Sequence, residues 1–210
     1  LDAVEQLAAS LLGNLTPPWT QWFGFKPGPD LSAAEAEALA PALEQAAKTV
    51  QAHLDRSNFI VEIHQCYLDL VVGGTAALYL EETPPGSYSA FRFTAIPLNR
   101  IALEEGVSGF LDNAYRTLSL TLAQIRTQYP AADIPDAVIK AGEKDKRQRF
   151  KVLETIMPDG KGGFKFTACL YESHEPELLK TTTFAESPLI GFRWLKSPGE
   201  TYGRSPVMKA

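Results

Sequence analysis

The apolar residues of this chain change their spacing once, at Gly73-Gly74. Before that pair they recur every three or four positions. Leu1, Val4, Leu7, Ala8, Leu11 and Leu12 form one such set, and Leu39, Leu43, Val50 and Leu54 a second. Phe59, Ile63, Cys66, Tyr67, Leu70 and Val71 form a third. After the pair they alternate, in Ala76, Leu78, Leu80 and again in Phe91, Phe93, Ala95. The first spacing puts apolar side chains on one helix face and the second on one face of a strand. Helices first and strands after predict an α+β fold, with N-terminal amphipathic helices packed on a mostly antiparallel sheet or meander. The expected division is a helical part over 1–74 and a mainly β part with two short helices over 75–206, forming one compact unit.

Local signals set the expected boundaries. Gly13 and Asn14 predict the end of the first helix. Nothing caps that helix before Leu1, which suggests a piece of a longer polypeptide. The Pro-rich stretch 16–30 carries Trp19, Trp22 and Phe23, and these rings are expected to pack onto the body, since left exposed they would form an adhesive patch. Ser32-Ala-Ala-Glu35 is a capping box opening the second helix, and Pro41 inside it predicts a kink or break. Pro84-Pro-Gly86 turns a hairpin. Strands are expected over 100–105 and 113–120, and a second capping box at Thr121 and Gln124 opens a short helix. Asp133, with Pro135 just inside, predicts another helix to about Lys146. Residues 150–157 and 164–170 read as strands around the Pro158–Gly163 turn, and 178–184 and 189–195 as the end of the meander.

The mass of 23.0 kDa predicts a folded surface of roughly 10,000 Å². No apolar run approaches the ~20 residues of a membrane span. Two cysteines, Cys66 and Cys169, are too few for a disulfide framework or a four-cysteine zinc site. His53, His64 and His174 show no metal-ligand spacing, so no metal and no cofactor is expected. Gly160-Lys-Gly-Gly163 lacks the length and the Ser/Thr of a phosphate loop. Gly203-Arg-Ser205 lacks the second glycine of a nucleophile elbow, because Pro206 and Val207 follow. No catalytic set emerges, and the chain is expected not to be an enzyme. A small α+β hydrolase with scattered acids, or a binding module using the Trp19–Phe23 loop, stands as the alternative.

Charge is unevenly spread. Residues 1–110 hold 13 acids against 5 bases, and residues 111–210 hold 12 acids against 15 bases. Lys144, Lys146, Arg147 and Arg149 head the basic cluster, a possible subunit contact if the acidic half of one copy meets the basic half of the next.

One C-terminal segment is distinctive. Glu186 and Pro188 precede Arg193-Trp194, and then come Gly199, Glu200, Tyr202, Gly203, Arg204, Ser205 and Pro206. This run resembles the head-to-tail connector (portal) proteins of short-tailed bacteriophages. Ser57-Asn-Phe59, and Asp69-Leu70 ahead of Gly74-Thr75, fit the same family in the same order. The resemblance spans roughly the whole chain. It implies a structural protein of the virion, assembled in the host cytoplasm and set at one capsid vertex. It also implies a homo-oligomeric ring of about twelve copies, with capsid, packaging-motor and tail proteins as partners. Genomic DNA would pass through the channel, built by segments beyond this fragment. Residues 207–210 would be the truncated start of that channel-forming region.

Within the segment, Gly199 and Gly203 are expected at turns, Gly203 at positive φ. Arg193 and Arg204 offer planar forks for Glu186 or Glu200. Trp194 alternates with Ile190 and Phe192, which predicts a core-facing indole whose truncation costs about 3–5 kcal/mol.

Overall fold

A computed structural model describes residues 2–171 and 176–209; Leu1, His174 and Ala210 lie outside the described residues. Three helices come first: α1 (Asp2–Leu15), α2 (Ala33–Arg56) and α3 (Phe59–Gly73). Strands β1 (Thr75–Glu82), β2 (Phe91–Ala95), β3 (Ile101–Glu104) and β4 (Asn113–Thr121) follow. Short helices α4 (Leu122–Gln128) and α5 (Asp136–Lys144) lead to β5 (Arg149–Pro158), β6 (Phe164–Leu170), β7 (Glu177–Phe184) and β8 (Leu189–Arg193). The α+β class holds, and every sheet pairing is antiparallel.

The strands form two sheets rather than one meander, in the orders β2-β1-β8 and β3-β4-β5-β6-β7. β8 leaves β7 and pairs with β1, Leu78 opposite Ile190. β2 covers only one edge of β1, and its other edge of backbone donors and acceptors needs a partner. β1 is therefore the wall between two cores. Ala76 and Leu78 face a cluster with Phe59, Ile63, Cys66, Tyr67 and Leu70 of α3. Ala77 and Tyr79 face the second sheet's cluster, which includes Ile125, Val152, Ile156 and Phe166. All six residues of the expected α3 stripe are buried. Burial pushes the Cys66 thiol up to about 12.

Four local expectations are corrected. α1 runs through Gly13 and Asn14 to Leu15; the Asn14 side-chain amide donates to Ser10 O at 2.7 Å, and docking on α3 outweighs the ~1 kcal/mol cost of one glycine. α2 is unbroken at Pro41, because this turn is exposed and water can satisfy the carbonyl that loses its N–H partner. α5 begins at Asp136, not Asp133, since Pro135 is held extended at ψ 139°. In the 16–30 loop Trp22 stacks on Phe59 with ring centroids 6.0 Å apart, but Trp19 is 74% exposed.

The chain exposes 13,259 Å², about a third more than the ~10,000 Å² of a compact monomer of this mass. Much of the excess is local. Of the 24 residues of α2 only Ala47 is buried.

Ser57-Asn-Phe59 has a mechanical role. Asn58 lies beside the outer edge of β2, where its Oδ1 accepts from Phe93 N at 2.9 Å and its Nδ2 donates to Phe93 O at 2.8 Å. Glu62 accepts from Ala95 N at 2.7 Å. These side chains supply bonds that a further strand would otherwise make, which protects an edge from foreign pairing. Asn58→Leu, which keeps the bulk and removes both bonds, is expected to cost about 2 kcal/mol in urea denaturation, since each lost bond is worth roughly 1 kcal/mol. A midpoint unchanged from the parent would show that water replaces the amide.

Candidate functional site

The distinctive C-terminal segment folds as a corner that joins both sheets. α3 ends at Gly74, which is left-handed at φ 74° and donates to Leu70 O at 2.9 Å. The backbone of Gly74 then meets that of Gly203. Trp194 N donates to Gly74 O at 2.9 Å, and Gly203 N donates to the buried Thr75 Oγ1 at 2.8 Å. Any Cβ on Gly203 would collide with Gly74 O and lie 2.9 Å from Arg193 Cβ; one on Gly74 would lie 2.6 Å from Ser205 N. Gly203 is not at positive φ, contrary to expectation; its requirement is contact, not torsion. Gly199, at φ 78° with open space around it, is the residue that needs a left-handed turn. Tyr202 OH accepts from Leu103 N at 2.9 Å and so ties the segment to β3.

The ion pairs are partly those expected. Glu200 accepts two bonds from Arg204, at 2.9 and 2.6 Å, and the Arg204 guanidinium holds this exposed carboxyl below its usual range. Arg193 reaches neither Glu186 nor Glu200. Its Nη1 donates to Glu105 at 2.8 Å and to Thr201 O at 2.9 Å, and its Nη2 to Gly109 O at 2.9 Å. Lys196 also binds Glu105, and hydrogen bonds from Lys196 and then Arg193 hold that carboxyl low. The β3–β4 loop is thus clamped to the end of β8. Glu105 is 88 residues from Arg193 in sequence, so no local pattern pairs them.

Trp194 is 39% exposed, which corrects the core-facing expectation. β8 ends at Arg193, so the alternation does not extend to Trp194, and only its backbone is locked. The cost of 3–5 kcal/mol for a buried indole does not apply. With Leu195, Tyr202 and Met208 it adds apolar surface to the corner. Pro188 is buried and its carbonyl accepts from Leu80 N at 2.8 Å; Glu186 is exposed; Pro206 is half-buried. Ser205 is fully buried, its Oγ accepting from Met208 N at 3.1 Å. Lys144, Lys146, Arg147 and Arg149 are all exposed; Arg149 donates to Ser119 O at 2.8 Å. His53 is a structural partner of the β1–β2 connection, its Nδ1 accepting from Ala90 N at 3.1 Å.

Sequence reasoning missed one charged centre. Glu154 on β5 has a side chain only 7% exposed, beside Arg116 of β4 at 3.4 Å. Tyr129 OH donates to it at 2.7 Å and Gln128 Nε2 at 3.2 Å. Burial raises the Glu154 pKa above the usual carboxylate range, against the opposing pull of Arg116. The group floors a cleft of about 700 Å³, lined also by Tyr79, Arg92 and Lys180. The one available signal was an acid in phase with Val152 and Ile156 on a core-facing strand. Together these contacts bind α4 to the second sheet. Both the cleft and the corner are built from internally satisfied contacts that fix how elements are aimed.

A family model for the bacteriophage head to tail connecting protein matches residues 1–210, the whole chain. No curated protein gives a significant match.

Proposed function

The chain belongs to the bacteriophage head to tail connecting protein family, and from that premise we propose that it forms the outer, wing-like part of a portal ring. The family is one of structural connectors between phage head and tail. In this reading copies of the full polypeptide close into a ring at one capsid vertex. The ring docks the packaging motor, passes the genome and then holds the tail. The wing packs against its neighbours and the capsid, and the channel is built by segments that follow it. The corner at Gly74, Arg193 and Gly203 sets the direction in which the chain leaves the wing. The exposed ridge from Lys144 to Arg149 is a contact with the next subunit.

The observation that carries this reading beyond family membership is the 13,259 Å² of exposed surface. A subunit with neighbours on both sides needs roughly 800 Å² for each face, and the excess over a compact monomer is of the right order. The decisive experiment is native mass measurement of the full-length polypeptide. A closed complex of about twelve copies is expected, as heterologous contacts close only at a fixed rotation. A monomer at tens of micromolar would reject the ring.

A further inference from the structure

The apolar stripe of α2 does not stop where the body stops. Ala47, Val50 and Leu54 face the molecule, and Leu43, Leu39 and Ala36 continue the same helical face toward the N-terminal end. There Leu39 is exposed, and so are Leu31 and Phe25 ahead of the helix. Acids flank this stretch. From Asp30 to Glu44 there are four acids and no base. Glu35 is held in the capping box and Glu44 meets Lys48 at 2.7 Å, while Asp30 and Glu37 have no ion pair among the described residues.

A surface of matching character lies on the other core. In β5, Val152, Glu154 and Ile156 point inward, so Arg149 and Leu153 point outward. Leu153 pairs with Cys169, and Cys169 with Leu178, which is exposed on the same outer face. Tyr171, also exposed, follows at the end of β6. Beside them stand Lys144, Lys146 and Arg147 in the α5–β5 connection. One patch is thus apolar with acids, the other apolar with bases. They belong to the two separate hydrophobic clusters.

We infer that the distal half of α2 in one copy docks on the Lys144–Arg149 ridge and the Tyr171 and Leu178 surface of a second copy of this chain. Two unlike patches on one subunit make a heterologous contact, the kind that repeats around a ring. The apolar residues supply contact area, and the charges set register and partner orientation. This inference rests on the ring reading and adds which faces meet.

The test is a charge swap in the full-length polypeptide at low salt, read by native mass. One variant carries Asp30→Lys, Glu37→Lys and Glu44→Lys. A second carries Lys144→Glu, Lys146→Glu, Arg147→Glu and Arg149→Glu. Each alone is expected to lower the yield of closed rings about tenfold, and the two together to restore it, because the opposed charges are again complementary. Melting of each variant should match the parent, as isolated surface charges change stability little. A charge-independent measurement is cross-linking. In a Cys169→Ser background, Leu39→Cys with Leu178→Cys should give a ladder of covalent oligomers on oxidation. A wild-type ring that ignores both reversals and yields no ladder would overturn the docking surface alone. A combined variant no better than either single set would do the same. A wild-type polypeptide that stays monomeric would overturn the ring and this contact together.

Discussion

Gly203→Ala is expected to lower the melting temperature by about 6–12 °C, from a loss of about 3 kcal/mol in a chain of this size. Overpacking of a rigid site costs roughly 1–3 kcal/mol, and here the colliding partners are backbone and a buried strand end. The added Cβ must displace Gly74 O or Arg193, and either movement breaks the Thr75 and Trp194 backbone bonds at the same point. Flexible side chains could yield; two crossing main chains cannot. Gly199→Ala is the control. Its surroundings are open and its φ is 78°, so only the left-handed torsion is penalised, at about 1 kcal/mol. Calorimetry of both variants separates the causes. A Gly203→Ala protein that melts no lower than Gly199→Ala would show that the crossing relaxes freely.

Glu154→Leu is expected to cost about 2–3 kcal/mol. It strands the Arg116 guanidinium, whose side chain is 21% exposed, and it leaves Tyr129 OH without its acceptor. Breaking a fully buried pair costs more, about 3–5 kcal/mol, but the cleft lets water reach Arg116. Adding Arg116→Met should return most of the loss, since a paired charge replaced on both sides by apolar groups is close to neutral. The pH dependence has a definite sign. The folded pKa of Glu154 is raised, so its favourable contribution is full below the unfolded carboxylate value and is lost as pH rises through the folded one. Titrating from neutral into mildly acidic solution should therefore relieve the parent at this site. Glu105 and Glu200, held low by their cations, act in the opposite sense and lose their contribution only at lower pH. Glu154→Gln should remove the mild-acid gain while keeping the acceptor for Tyr129. A parent and a Gln variant with the same pH–stability curve would place the Glu154 carboxyl in effective contact with water.

Protection of the sheet edge by Asn58 belongs to the same design. A subunit whose outer strands could pair with any extended segment would have ungoverned contacts. Confining free apolar surface to α2, the 16–30 loop and the corner leaves a few directed faces.

What the sequence alone determined is local. The change of period at Gly73-Gly74 marks the boundary between helices and strands, and the α3 stripe from Phe59 to Val71 is buried residue for residue. Both capping boxes form, because their partners lie three residues apart and need no distant chain. The tertiary structure decided everything that depends on which distant backbones meet. It sent β8 to β1 rather than β7, since an unpaired edge of β1 is a larger cost than a short crossover. It gave Arg193 to Glu105, placed Glu154 in a protein interior, and left Trp194 outside. It also made Gly203 necessary through contact with Gly74, 129 positions away (203 − 74). Periodicity reports which face of an element is apolar; it carries no information on what covers that face, because the covering atoms come from parts of the chain whose spacing in sequence is arbitrary.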